Sequence, residues 1–278
     1  MAMRVSGAVC RAVSQALVIG ILLQATVARA APSSAVDRCP ASEVDVTELL
    51  NWSEQAARAQ ATNKPIPPLP GDEYAVHFLN ALAPSAGTAG IARMLQAGAS
   101  PNACLTDMSW LGYATVISTP AQVRYLLDRG ARPDEPRDSD GGTPLMSAIA
   151  ASRWDNAHVL LDLGASAVAM TDGGMTALHL LAMASCPDGT TCPAKQSLAK
   201  RLLAMKTPVN ARVRRQGTTA LMLAALRGDV TLIELLLADG ADPSLKNQRG
   251  KTALMLAEQA DRREAAALLR PHGNAPKH

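Results

Sequence analysis

One short phrase recurs through the second half of the chain at a nearly fixed interval. Residues 217 to 249 read GTTALMLAALRGDVTLIELLLADGADPSLKNQR, and residues 250 to 273 read GKTALMLAEQADRREAAALLRPHG. Both carry Gly-x-Thr-Ala-Leu-Met-Leu-Ala, and both reach a Leu-Leu segment before the next Gly. Earlier copies begin at GGTPLMSAIA (141 to 150) and GGMTALHLLAMAS (173 to 185). The threonines Thr143, Thr176, Thr219 and Thr252 are separated by 33, 43 and 33 residues. Internal repetition at a period near 33, with one excess of ten, describes an array with a single insertion.

Local chemistry says what each copy builds. The threonine caps a helix, and Pro144 sits where a missing N–H costs nothing. A short helix follows, such as Ala220 to Arg227, and Gly228 breaks it. Asp229 opens a second helix whose Leu232, Ile233, Leu235 and Leu236 fall at helical spacing. Gly240 then suits the left-handed position that ends a helix. Neither helix can bury its apolar face alone, so each copy needs its neighbours and the predicted product is a solenoid. Composition agrees. The chain is 48% hydrophobic but only 3% aromatic, so Ala, Leu, Val and Met must fill a thin, layered all-helical core.

This pattern resembles the ankyrin repeat, whose hallmark T-P-L-H-x-A appears as Thr143-Pro144-Leu145 and as Thr176-Ala177-Leu178-His179. Two weaker copies precede them. Residues 110 to 134 keep the Leu-Leu-x-x-Gly-Ala ending, with Ser109 in place of the threonine, and residues 72 to 102 keep His77 and Gly98-Ala99. The resemblance covers six copies over about 72 to 273. It implies an all-α ankyrin-repeat solenoid of about six helix-turn-helix repeats, joined by finger turns, with an N-terminal capping helix. It also implies that finger tips and first helices form a concave face that binds a protein partner.

The fingers are ordered by charge. Asp107, Asp134, Glu135, Asp138, Asp140 and Asp172 crowd the earlier ones, while Arg212, Arg214, Arg215, Lys246, Arg249 and Lys251 fill the later ones. The expected face therefore runs from acidic to basic, diluted by Arg132 and Arg137. The candidate partner-binding residues are Asp138, Asp140, Asp172, Arg214, Arg215, Gln216, Arg227, Lys246, Arg249 and Lys251. Ordinary solvated turns are the competing reading of the same charges.

The first 30 residues follow other rules. Arg4 and Arg11 precede an apolar run, AVSQALVIGILLQATV (12 to 27), and Ala28-Arg29-Ala30 offers a small-x-small cleavage site before Ala31. That is the layout of a cleavable signal peptide, in a run rather short for an anchor. Removing its three arginines from the chain's 27 basic residues leaves 24, against 24 acidic ones. The basicity belongs to the leader, and no global charge argues for nucleic acid. Residues 31 to 70 supply a helix (42 to 61) that could cap the array through Leu49, Leu50 and Trp52, then a stiff linker, KPIPPLPG (64 to 71). The array occupies 71 to 278, and Glu258, Asp261, Arg262, Arg263 and Glu264 make its last copy polar.

Export puts four cysteines, Cys39, Cys104, Cys186 and Cys192, in an oxidising compartment. Cys186 and Cys192 flank the insertion, placed at 185 to 194. Zinc would need two more ligands, and His179 already occupies a hallmark position where its ring bonds between repeats. A redox pair would prefer Cys-x-x-Cys spacing. The remaining reading is a staple, whose seven-residue ring constrains the unfolded chain by about 2.4 kcal/mol in the loop-entropy model. Cys39 with Cys104 is the residual pairing.

No catalytic constellation stands out. His77 and His179 are at hallmark positions, His272 and His278 lie in the terminal tail, and His158 sits in a second helix. No phosphate loop or metal-spaced His/Glu pair is present in the sequence. The eleven methionines read as packing residues. The sequence thus predicts a bacterial, exported, periplasmic or secreted module that binds a protein. It would act as a scaffold or an inhibitor of immunity type, monomeric, with no cofactor, metal, nucleic acid or membrane insertion after signal cleavage. A non-catalytic accessory subunit of an envelope enzyme is the alternative, with an enzyme less favoured still.

Overall fold

Stacked helix pairs, each too thin to stand alone, make up the protein. The structure, a computed structural model, describes residues 79–96, 99–102, 104–105, 108–135, 141–184 and 192–272. The leader, the expected capping helix, the linker and His77 lie outside the described residues. So do Asp107, Asp138, Asp140 and Cys186.

Among the described residues the helices fall into pairs. A helical segment at 79–82 precedes α1 (Gly87–Gln96). The second pair is α2 (Trp110–Ile117) with α3 (Pro120–Asp128), and the third is α4 (Pro144–Ala150) with α5 (Trp154–Asp162). The fourth is α6 (Ala177–Met183) with α7 (Pro193–Ala204). The fifth is α8 (Ala220–Arg227) with α9 (Val230–Ala238), and the last is α10 (Ala253–Gln259) with α11 (Arg263–Leu269). First helices stack on first helices and second on second along the array. This all-α solenoid has the element order expected from the period.

The caps explain why each inner helix starts where it does. Backbone N–H groups three residues on donate to the hydroxyls of Ser109 (3.2 Å), Thr143 (3.4 Å), Thr219 (3.3 Å) and Thr252 (3.3 Å). Serine therefore replaces threonine at 109 without loss of the cap. Gly228 ends α8 at φ 79°, and Asp229 caps α9 by accepting from the Leu232 N–H at 3.1 Å.

The core is aliphatic apart from Trp110 and a few rings packed at its edge. Leu145, Ile149, Leu178, Leu181, Leu221, Ile233 and Leu236 are buried, and Ala148, Ala182, Ala224 and Ala225 are fully so. Small residues at the seams let neighbouring helices approach closely without rings to fill the gap. Met146 and Met222, three residues past their threonines, are buried between repeats. Met255, at the same offset in the sixth copy, is 45% exposed, since no further repeat covers it among the described residues. The polar residues expected around it, Glu258, Asp261, Arg262, Arg263 and Glu264, are all exposed.

Two sets of polar bonds tie repeats together. Gln122, Asn156, Arg153 and Arg262 each donate to carbonyls left open at the end of the preceding inner helix or its connection. The second set runs through the loops after the outer helices. Asn102 accepts from Arg132 N–H and Asn210 from Asp242 N–H, each at 2.8 Å, while Asp134 accepts from Ser166 N–H at 2.8 Å. At the corresponding position of the third repeat stands Val168, 48% exposed, which can make no such bond.

The insertion divides unequally. Nine residues join α6 to α7, where two join α8 to α9, and α7 has twelve residues to the nine of α9. Seven of the ten extra residues thus lengthen the connection and three lengthen the helix. The last two residues of the 185 to 194 segment, Pro193 and Ala194, form the start of α7. Proline at the first helical position explains the earlier start.

Candidate functional site: the finger face

Each finger is a small hairpin leading into the next inner helix. Cys104–Leu105 pairs antiparallel with Met108–Ser109, and Met170 bridges Thr176. In the later fingers the N–H of Thr171 donates to Met175, that of Val213 to Thr218, and that of Asn247 to Lys251. The hairpins are also bonded to one another. Arg214 N–H donates to the Gly173 carbonyl at 2.8 Å, and Gln248 N–H to the Gln216 carbonyl at 2.9 Å. The Gln248 side chain reaches the Arg214 carbonyl at 3.1 Å, and the Arg212 guanidinium donates to the Lys246 carbonyl. Gly174 permits this approach: at φ 81°, an added Cβ would lie 2.8 Å from the Arg212 carbonyl oxygen. The fingers of repeats four to six therefore form one continuous wall.

The side chains on that wall are mostly basic. Arg214, Arg215, Gln216, Lys246, Arg249 and Lys251 are all exposed. Among the described residues, none of these five cations has an acidic partner within ion-pair distance. On the outer helices some charges are paired across repeats. Asp162 of α5 takes Arg201 of α7 at 2.7 Å and Arg124 of α3 at 3.6 Å, so one carboxylate links three repeats.

Of the acidic half of the expected gradient, Asp134, Glu135 and Asp172 lie among the described residues. Glu135 is buried, with Arg132 Nε 2.6 Å from its carboxylate. Asp134 is exposed, yet its carboxylate accepts from Ser166 N–H in the ladder between repeats. Asp172 is exposed and lies against Gly141. Arg227 donates to the Met183 carbonyl and so fastens α8 to α6, a role its placement among the candidate contacts did not foresee.

The base of the insertion is held by a residue the sequence reading passed over. Lys195 is buried, and its ammonium donates to the Ala184 carbonyl at 2.9 Å and to the Asp229 carboxylate at 2.7 Å. It thereby joins the end of α6, the start of α7 and the cap of α9. A signal was available. Counting back eleven residues from Lys206 and from Gly240 brings Lys195 into register with the helix-capping Asp229. Cys192, at the foot of α7, is disulfide-bonded; Cys186 lies outside the described residues.

His179 does what its hallmark position implies. Its Nδ1 accepts from Thr176 N–H at 3.2 Å and lies 2.9 Å from the Thr176 hydroxyl, leaving Nε2–H to donate to the Thr218 carbonyl at 3.2 Å. Burial lowers its pKa from 6.5, outweighing the opposing pull of the carbonyl contacts. A neutral ring with both nitrogens bonded to the protein is a joint between repeats. Among the described residues no group of three or more His, Cys, Asp or Glu could hold a metal ion, and no helix is long and apolar enough to cross a membrane.

A repeat solenoid with a finger wall is a class of architecture, and comparison supplies the kind of repeat. Residues 191–277 match the family model described as ankyrin repeats, in three copies. A human protein named ankyrin repeat and SOCS box protein 16 is 33% identical over 144 residues, 52% of this chain and 29% of that protein. An ankyrin repeat-containing protein of Treponema pallidum is 34% identical over 122 residues, 44% of this chain and 38% of that one. The yeast protein HOS4 is 38% identical over 65 residues, 23% of this chain and 6% of that protein. The chain thus spans well under half the length of these relatives. Its fold is an ankyrin-repeat solenoid.

Proposed function

We propose that the protein is an exported binding module that recognises another protein through the finger wall of repeats four to six. Ankyrin repeats are generally protein–protein interaction modules, and the human and spirochaetal relatives are named for them. The observation that carries the reading is the contrast between faces. On the outer helices Arg124, Asp162 and Arg201 pair across repeats and the remaining charges are of both signs, whereas Arg214, Arg215, Lys246, Arg249 and Lys251 are exposed cations on a wall already rigidified by its own backbone bonds. Preorganised, exposed and unpaired charge favours fast and specific association.

The remaining parts support that role. Residues 1–30 act as a cleavable leader, giving a mature N-terminus at Ala31 in the periplasm or outside the cell. A Cys186–Cys192 bond closes the insertion, consistent with the bonded state of Cys192. The protein works as a scaffold or stoichiometric inhibitor and performs no chemistry of its own.

The test is photo-crosslinking in the native envelope, with a benzoylphenylalanine placed at Arg215 or, on the outer helix α9, at Glu234. The reading expects protein adducts from position 215 and none from 234. Adducts from 234 alone would put the interface on the outer helices and overturn it. Mass spectrometry of the same material should find Ala31 at the N-terminus.

A further inference from the structure

The finger cations stand at one end of an apolar lane. Counting four and seven residues from each capping threonine reaches Leu180 and Met183 on α6, and Leu223 and Leu226 on α8. Such steps keep residues on one stripe of a helix. The stripe lies at the open edge of the core: Leu178, Leu181, Leu221 and Ala224 are buried, while Leu180 and Leu223 are half-buried, packing on the core with one side open. Met183 and Leu226 are each 43% exposed. Because α6 and α8 pack together and Arg227 ties them at the Met183 carbonyl, the four side chains form a lane two repeats wide. From Leu180 to Met183 the helix rises only about 4.5 Å, so the lane suits a short stretch of chain.

The rim of that lane is mainly of one sign, with Asp172 its one acid among the described residues. Residues 212 to 217 (RVRRQG) and 246 to 251 (KNQRGK) hold six cations and no acid. Resting on the finger wall as the recognition surface, we propose that it takes an acidic polypeptide segment bearing apolar side chains. Its carboxylates meet the finger guanidinium and ammonium groups, and its apolar side chains lie on Leu180, Met183, Leu223 and Leu226. Nucleic acid would satisfy the cations, but bases are held largely by aromatic stacking. No Phe, Tyr or Trp occurs in the fingers or inner helices of repeats four to six.

The experiment is to pan a phage-displayed library of random peptides on the full chain and then measure synthetic copies of the winners. The selected peptides should be rich in Asp and Glu and should carry Leu, Ile, Met or Phe. Their affinity should fall about tenfold or more in Arg214→Glu/Arg215→Glu and weaken with salt, as expected for charge pairing at a rim. Lys246→Glu/Arg249→Glu serves as a second variant, with an unchanged circular-dichroism melt required of either. Peptides with no acidic excess, or no enriched peptides at all, overturn the assignment. So do acidic peptides that bind the reversed variants undiminished, or a single-stranded oligo-dT that binds more tightly than the best peptide. Non-acidic peptides that still depend on the fingers would overturn this inference alone. Crosslinks absent from position 215 would overturn the reading beneath it.

Discussion

Repeats four and five are built on the same phrase and differ in how they hold it. Both inner helices open on a capping threonine and bury a leucine two residues later, Leu178 and Leu221. In repeat five the rest is regular: a two-residue connection, Gly228 at its C-cap, Asp229 as the next cap, and Gly240 at φ 88° after the outer helix. Repeat four replaces each part. A nine-residue connection stands for two, Lys195 for the capping aspartate, and Lys206 at φ 61° for the glycine. The buried residue three past the threonine is His179 rather than Met222. The lesson is that an array tolerates a disrupted repeat when new bonds replace the lost ones. Lys195 does so by binding Asp229, its own counterpart in the next repeat.

The largest effect should come from the position the two repeats share. Leu178→Ala and Leu221→Ala should each cost about 3 kcal/mol, the usual loss for a fully buried leucine, measured by urea unfolding. A much smaller loss at Leu178 would mean that the insertion loosens its inner helix and would break the comparison. Next comes Lys195→Ala, which strands the Ala184 carbonyl and the partly exposed Asp229 carboxylate. A loss of about 2 kcal/mol is expected, less than for a wholly buried pair because water reaches Asp229. A neutral result would show that the clamp contributes nothing to closing the insertion.

A smaller, pH-dependent difference belongs to His179. Its folded pKa lies below the unfolded value of 6.5, so the unfolded chain binds the proton first as pH falls. Its contribution is complete above 6.5 and declines as pH drops from there towards the folded pKa. The loss is at most about 1.4 kcal/mol per pH unit. The unmodified chain should therefore lose more stability over this interval than His179→Leu. Parallel profiles for the two would contradict a buried neutral ring.

The smallest expected effect is a gain. Lys206 occupies a left-handed conformation that glycine adopts without a Cβ penalty, so Lys206→Gly should add about 0.5–1 kcal/mol, with entropy offsetting part of the relief. Destabilisation instead would show that the lysine side chain makes up for its backbone.

Much of this was legible in the sequence, for a specific reason. Period, caps and left-handed glycines are local, and residues such as Thr219, Gly228 and Asp229 state their roles within a few positions. Inter-repeat chemistry is less visible, because its partners lie 30 or more residues apart. Nothing adjacent to Lys195 announces that it will meet Asp229, and the ladder through Asn102, Asp134 and Asn210 appears only when loops are superposed. Charge was legible as composition but not as exposure. Glu135 reads as a finger acid, yet Arg132 draws it into the fold. The basic wall survived because its fingers at 212–217 and 246–251 contain no acid to neutralise them.

Hydrogen exchange on the full chain, with and without bound partner, tests most directly whether the regular, basic fingers do the recognising. Backbone amides at 172–184, 212–227 and 246–251 should exchange more slowly in the complex, while α5, α7 and α9 remain unchanged. Protection centred on those outer helices, or confined to the insertion at 185–191, would contradict the account.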